Sequence, residues 1–232
     1  MTAEPLGMSS PPSNVRHEVR LAVALAATAG FVDAYGFIRY QAYVSYMSGN
    51  TTLAGMFLGQ RNIAAFVPLA AAILAFVAGA FSGTLFLHTK PARRSMFAVT
   101  AAALGIIAVL TIVGVLSAIA AIIVISFTMG ALNTSLSCIG AQSINLTFVT
   151  GTLNRLATHL ADAASCTPLK DAAGPWDTHW HRALQLGIVW CGFFLGAAVS
   201  AATTAWTGAF GLLVPALALA ALYATGSKPA AS

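Results

Sequence analysis

Four long stretches of this chain contain no Lys, Arg, Asp or Glu. They span 21 residues between Arg39 and Arg61, 28 between Arg61 and Lys90, 60 between Arg94 and Arg155, and 45 between Arg182 and Lys228. A helix needs about 20 residues to cross roughly 30 Å of hydrocarbon, so each stretch is long enough for at least one crossing. With 58% of residues apolar and 7% charged, no charged shell is left for a water-soluble domain. The pattern excludes a soluble enzyme and predicts an all-α, polytopic membrane helix bundle with membrane lipid as its first partner. The net charge of +5 comes from clumps of basic residues beside the apolar runs, with no basic stripe, so no nucleic-acid partner is expected.

Residues 1–19, with Pro5, Pro11 and Pro12 and no apolar run, read as a disordered N-terminal tail. Apolar runs then predict six spans, at about 20–38, 63–87, 95–115, 117–138, 183–206 and 210–225. Between them lie two interrupted segments, 40–60 and 142–164. The first is broken by Ser48-Gly49-Asn50-Thr51 and the second by Thr150-Gly151-Thr152. The three cysteines share no C-x-x-C spacing, and no disulfide framework is read from them.

The chain repeats itself weakly. Gly30-Phe31-Val32-Asp33-Ala34 resembles Gly130-Ala131-Leu132-Asn133-Thr134, and each is followed by a Gly-centred break and then by a span with glycines four apart, Gly79 with Gly83 and Gly192 with Gly196. Two membrane repeats are therefore expected, at 20–116 and 117–226, with a short C-terminal tail at 227–232. If the interrupted segments are re-entrant or broken helices, there are six spans and the halves are inverted. If both cross, there are eight full spans and the halves are parallel. Loop charge favours six: nine Lys and Arg fall on the side of a cytoplasmic tail against two outside, whereas eight spans divide them six against four. Both termini are then cytoplasmic.

Asp33 lies 13 residues past Arg20, about 20 Å into the first span. A carboxylate there must find a partner or a wet cavity. It either caps the next segment or serves as a proton or cation site. Ser48, Gly49, Asn50 and Thr51 combine N-capping side chains with a glycine that tolerates a bend, and Thr150, Gly151 and Thr152 do so in the second half. Paired half-helix ends of this kind mark solute sites near the midplane of transporters, or else are kinked spans whose freed backbone groups bond Ser and Thr. Arg155, on a polar face with Thr158, His159 and Asp162, either reaches inward toward a ligand or snorkels to headgroups. His159, Cys166, Asp177, His179 and His181 are metal-ligand types without a recognised spacing, and neither a metal nor a cofactor is expected. Tyr46-Met47-Ser48-Gly49 resembles the serine motif of intramembrane proteases, but no histidine lies deep in a span to act as its base, and no enzyme is expected.

At Gly30-Phe31-Val32-Asp33-Ala34, Met47-Ser48-Gly49-Asn50-Thr51 and Val149-Thr150-Gly151-Thr152-Leu153 the chain resembles the YoaK-like family of small, uncharacterised bacterial membrane proteins, over about residues 20–226. Ser48 stands where that family usually has threonine, which keeps the hydroxyl. The resemblance implies a six-pass or similar plasma-membrane protein and carries no ligand residues across. Taken together, the sequence predicts a small secondary transporter or permease of the bacterial inner membrane. A small polar or anionic solute would sit among Asp33, Ser48, Gly49, Asn50, Thr51, Asn133, Thr150, Gly151, Thr152 and Arg155. The competing expectation is a non-transporting subunit or scaffold that docks a partner through its Gly-lined helices; self-association into a homo-oligomer fits either.

Overall fold

The computed structural model describes residues 11–89, 93–134, 138–139, 142–143 and 149–225. Among these the chain forms α1 (Ser13–Tyr40), α2 (Met47–Gly59), α3 (Ile63–Thr89), α4 (Arg93–Ile112), α5 (Ala118–Asn133), α6 (Val149–Ala164), α7 (His179–Thr207) and α8 (Leu213–Thr225). A five-residue 3-10 turn, Gly208–Leu212, precedes α8, and the two-residue strands β1 (Cys138–Ile139) and β2 (Gln142–Ser143) pair antiparallel between α5 and α6. Helical stretches at Ser13–Tyr40, Ile63–His88, Ser95–Ile112 and His179–Ala224 are long and apolar enough to cross a membrane, the last broken at Gly208, while α5 is apolar but shorter.

The boundaries follow local chemistry. Helix α1 starts at Ser13 directly after Pro12, so the expected tail ends before residue 20; proline fixes the entry to the helix and blocks its extension upstream. At the other end Gln41 takes a left-handed conformation (φ 56°) and its amide returns to the Phe37 carbonyl. Ser117 caps α5 and Thr178 caps α7, each side chain accepting an amide one turn ahead. Residues 1–10 of the expected N-terminal tail, the whole expected C-terminal tail at 227–232 and residues 90–92 of the basic loop lie outside the described residues.

Two helix pairs form the largest contacts, α1 with α7 and α3 with α5. Each pair is brought together by glycines. A methyl group at Gly30 would overlap the Phe193 carbonyl of α7, and one at Gly196 the Ala27 carbonyl of α1; likewise Gly130 sits on the Phe76 carbonyl of α3 and Gly79 on that of Phe127 in α5. Such contacts let backbones approach where lipid offers no hydrophobic drive for association. The contacts correct two expectations. They pair Phe76-x-x-Gly79-Ala80 with Phe193-x-x-Gly196-Ala197, so Gly79 corresponds to Gly196 and the four-residue spacings to Gly83 and Gly192 are not equivalent. They also show that Gly79, Gly83, Gly192 and Gly196 pack against the chain's own helices. As the docking face of a scaffold these glycines are already covered.

The two halves thus exchange helices. Helix α1 packs on α7, α5 packs on α3, α2 packs on α3, α6 packs on α7, and α4 meets α8. Thr28 and Thr128, 100 positions apart, each donate a hydroxyl to the carbonyl four residues earlier. Large apolar side chains such as Leu74, Val77, Phe81, Ile106, Leu195 and Leu217 remain exposed on the outside of the bundle, as expected of a surface solvated by acyl chains.

Helix α2 does not run the length of the bundle. Its 13 residues extend about 20 Å, well short of the hydrocarbon thickness. It turns through Gln60–Asn62, where the Asn62 amide bonds the Phe57 carbonyl and the Asn62 side chain accepts the Ala65 amide, straight into α3. Ala42, Ala54, Leu69, Ala72 and Ile122 form one buried cluster. The end of α1 therefore lies against the first halves of α3 and α5. The bundle thus combines four apolar stretches long enough to cross a membrane with shorter helices, of which α2 folds back directly onto α3.

The packing yields a direct expectation. Gly196→Ala and Gly130→Ala should each lower thermal stability of the detergent-purified chain, by about 1–3 kcal/mol, as overpacking does. Gly105→Ala in α4, where nothing lies within contact distance of the new methyl, should raise it by roughly 0.5–1 kcal/mol.

Candidate functional site

Asp33 lies seven residues before the end of α1, about 10 Å back along the helix, and is 3% exposed. The chain leaves α1 at Gln41, folds back, and brings residues 44–46 alongside it. Asp33 Oδ1 accepts the amides of Val44 (2.9 Å), Ser45 (2.7 Å) and Tyr46 (3.2 Å), and Oδ2 accepts the Ser45 hydroxyl at 2.6 Å. Successive amides converging on one anion form a nest, and this one sits at the start of α2. Of the two roles open to Asp33 in the sequence, capping the next segment is the one its contacts display.

Asn50 completes the turn. Fully buried, it accepts the Tyr43 amide at 2.9 Å and donates to the Tyr43 carbonyl at 2.6 Å. Its amide is saturated by the loop and is not presented to a cavity. Gly49 lies beneath the rings of Tyr43 and Tyr46, which a methyl group there would meet at 2.9 and 2.6 Å. Ser48 and Thr51 are exposed, and the Thr51 hydroxyl returns to the Met47 carbonyl.

A cavity of about 250 Å³ opens beside Asp33. It is lined by Asp33 of α1, by Tyr43 and Tyr46 of the first break, by Val149 and Thr150 at the start of α6, and by Phe193 and Ala197 of α7. The structure therefore brings Asp33 and Thr150 together. It leaves Ser48, Gly49, Asn50, Thr51, Asn133, Gly151, Thr152 and Arg155 off the lining. Thr152, buried, occupies the position in α6 that Asn50 holds in α2; Arg155 is on the exposed side of α6. Asn133 is half-buried where Asp33 has its counterpart, and the residues that would correspond to 44–46 fall at 144–148, outside the described residues.

A second polar centre joins α6 to α7. Arg182, 6% exposed, grips Asp177 with a two-pronged contact, Nε to Oδ1 at 2.9 Å and Nη2 to Oδ2 at 2.8 Å. Its Nη1 reaches both oxygens of Asp171 at 3.1 Å, and its Nη2 the Asp171 carbonyl. Next to it, His159 Nδ1 of α6 lies 2.9 Å from His179 Nδ1 of α7, and Asp162 Oδ2 lies 3.7 Å from the same His179 atom. Burial, then His179 and Arg182, lower the affinity of His159 for a proton below the usual imidazole range. Burial raises the Asp177 carboxyl, but the Arg182 guanidinium and the Ala173 amide outweigh it and hold the group below the usual range.

Sequence reading passed over Tyr43, Tyr46, Ser45 and Phe193, along with the links among Asp171, Asp177 and Arg182. Opposite charges five and eleven positions from Arg182 were the available signal for the ion network. No periodicity announces that a loop will fold back on Asp33.

Asp33→Asn replaces an acceptor with an amide that cannot accept every donor, and Asn50→Ala strips two bonds from Tyr43. Each should cost roughly 2–4 kcal/mol, at 1–3 kcal/mol per buried polar group left unpaired, while Ser45→Ala, losing one hydroxyl, should cost about 1 kcal/mol. Thermal unfolding of the purified variants reads the order. Because Asp177 is depressed in the folded chain, its contribution is complete above about pH 4 and is lost as the pH falls through the lower folded value. Limited proteolysis across 165–178 should accelerate at acid pH in the native chain. In Arg182→Gln it should be fast at neutral pH.

The chain matches, over residues 21–225, the family described as "Protein of unknown function (DUF1275)". It is 32% identical over 208 residues to a UPF0700 transmembrane protein of Rhizobium meliloti (strain 1021), covering 85% of this chain and 81% of the relative. No solved structure matches it. A transmembrane relative, the family match over nearly the whole bundle, and the lipid-facing apolar surface agree: this chain is a membrane protein belonging to the DUF1275 family.

Proposed function

We propose that the chain is a small secondary transporter or permease of the bacterial inner membrane, without enzymatic activity, whose solute enters the cavity between the two Gly-centred segments. The observation that carries this reading is the cavity itself, which joins Asp33, Tyr43 and Tyr46 of one break to Thr150 of the other. Short helices starting at such a centre are the common construction of secondary-transporter sites. The placement of the end of α1 beside the first halves of α3 and α5 supports two repeats of opposite orientation, with both termini on the cytoplasmic side by loop charge.

The solute class shifts from the one the sequence suggested. The amides at 44–46 are already engaged by Asp33, so an anion entering the cavity would meet a carboxylate and find those donors taken. Two tyrosines and Phe193 beside that carboxylate suit a small uncharged or cationic solute, which rings and a negative group both attract. A proton on Asp33 would weaken its hold on the same three amides. Solute entry and proton binding then act on one loop, which is a means of coupling them.

The test is water access at Thr150. In a background with Cys138, Cys166 and Cys191 replaced by serine, Thr150→Cys should react with a membrane-impermeant maleimide and be protected by a solute that also raises the melting temperature. A cysteine at 150 that is inert in the folded protein and reactive only after denaturation would mean a dry cavity and end the transporter reading.

A further inference from the structure

We propose that His159, Asp162 and His179 form a binding site for a divalent transition-metal ion, Zn²⁺ being the best match, that ties α6 to the start of α7. The i, i+3 spacing of His159 and Asp162 puts both on one face of α6, and the third ligand arrives from the first residue of another helix. One ligand atom from each of the three lies within 4.8 Å of the others. Ions bound at about 2.0–2.1 Å hold two nitrogen ligands roughly 2.9–3.4 Å apart, and the two Nδ1 atoms stand 2.9 Å apart. The Asp162 oxygen lies 3.7 Å from His179 Nδ1, on a side chain that is 36% exposed.

Two further observations point to a cation. His179 is nine-tenths buried, and its Nδ1 faces both His159 Nδ1 and the Asp162 carboxylate. The charges around the pair are unbalanced: Asp162, Asp171 and Asp177 against Arg182 give a formal sum of −2, which a divalent ion would cancel. Two imidazoles with a carboxylate suit zinc and neighbouring first-row ions, and the half-exposed Asp162 side leaves room for water as a further ligand. The site is separate from the cavity. Phe193 lies 14 residues along α7 from His179, about 21 Å by helical rise.

The full chain, purified in detergent with any affinity tag removed, should bind Zn²⁺ at one ion per chain by calorimetry and melt at a higher temperature with it than with chelator. His159→Gln and Asp162→Asn, both at half-exposed positions, should each weaken binding tenfold or more, since even outer partners of metal ligands are worth that much. His181→Gln, whose ring contacts Thr178, should bind as the native chain does. Co²⁺ added in place of zinc should give visible absorption bands in the native chain that are absent in His159→Gln. Zinc binding that is equally tight in the His159→Gln/Asp162→Asn double variant, or that is lost with His181→Gln, would overturn the site. Should His179→Gln fail to fold, the two α6 variants carry the test.

Discussion

A backbone that stops being helical inside a bilayer has no water to bond, and each of its free amides must be matched from within the protein. The carboxylate of Asp33 meets that constraint for the first break by taking three consecutive amides and one hydroxyl. Much else follows from it. With residues 44–46 fixed about 10 Å below the end of α1, α2 begins inside the bundle. Tyr43 and Tyr46 then line a cavity together with Phe193 and Ala197 of α7. The charge that looks most like a transport residue in the sequence is first of all the anchor of the break, so any transport role it has works through the loop it holds.

The second organising fact is the exchange of helices between halves. Small residues at Gly30, Gly79, Gly130 and Gly196 let α1 lie on α7 and α5 on α3 at backbone contact, so the first helix of each half completes the packing of the other. Neither half encloses a core alone. The same exchange explains why the Gly-lined faces offer nothing to an outside partner, and why the outward surface carries leucine, valine and phenylalanine.

The apolar helices could be read from the spacing of charges because the cost of a charge in hydrocarbon is large enough to write itself into composition. The breaks were equally visible, since Ser48-Gly49-Asn50 and Thr150-Gly151-Thr152 are poor sequences for the middle of a span. Their direction was not visible, because one short polar stretch serves a kinked crossing and a returning helix alike; the packing of Ala42 with Ala54, Leu69, Ala72 and Ile122 is a long-range contact that no local pattern announces. The site was legible in outline only. Asp33 and Thr150 do share a cavity, but Asn50, a candidate as an N-capping side chain, is occupied by the loop, while Tyr43 and Tyr46 were not among the expected site residues. Side-chain polarity marks where a membrane protein must spend hydrogen bonds and does not say whether a ligand or the protein's own backbone receives them.

The halves share a scaffold and differ in how their short helices are tethered. Helix α2 passes into α3 through three residues, whereas α6 passes into α7 through the fourteen residues 165–178, closed by Arg182 on Asp171 and Asp177 and flanked by the paired histidines. A buried guanidinium held by two carboxylates is costly to break, so α6 is fastened at its far end. The central end of α2, by contrast, is held by one carboxylate whose acceptor strength changes with a single proton. The two short helices are thus held by different chemistry, α2 by a carboxylate at its central end and α6 by an ion network and paired histidines at its far end.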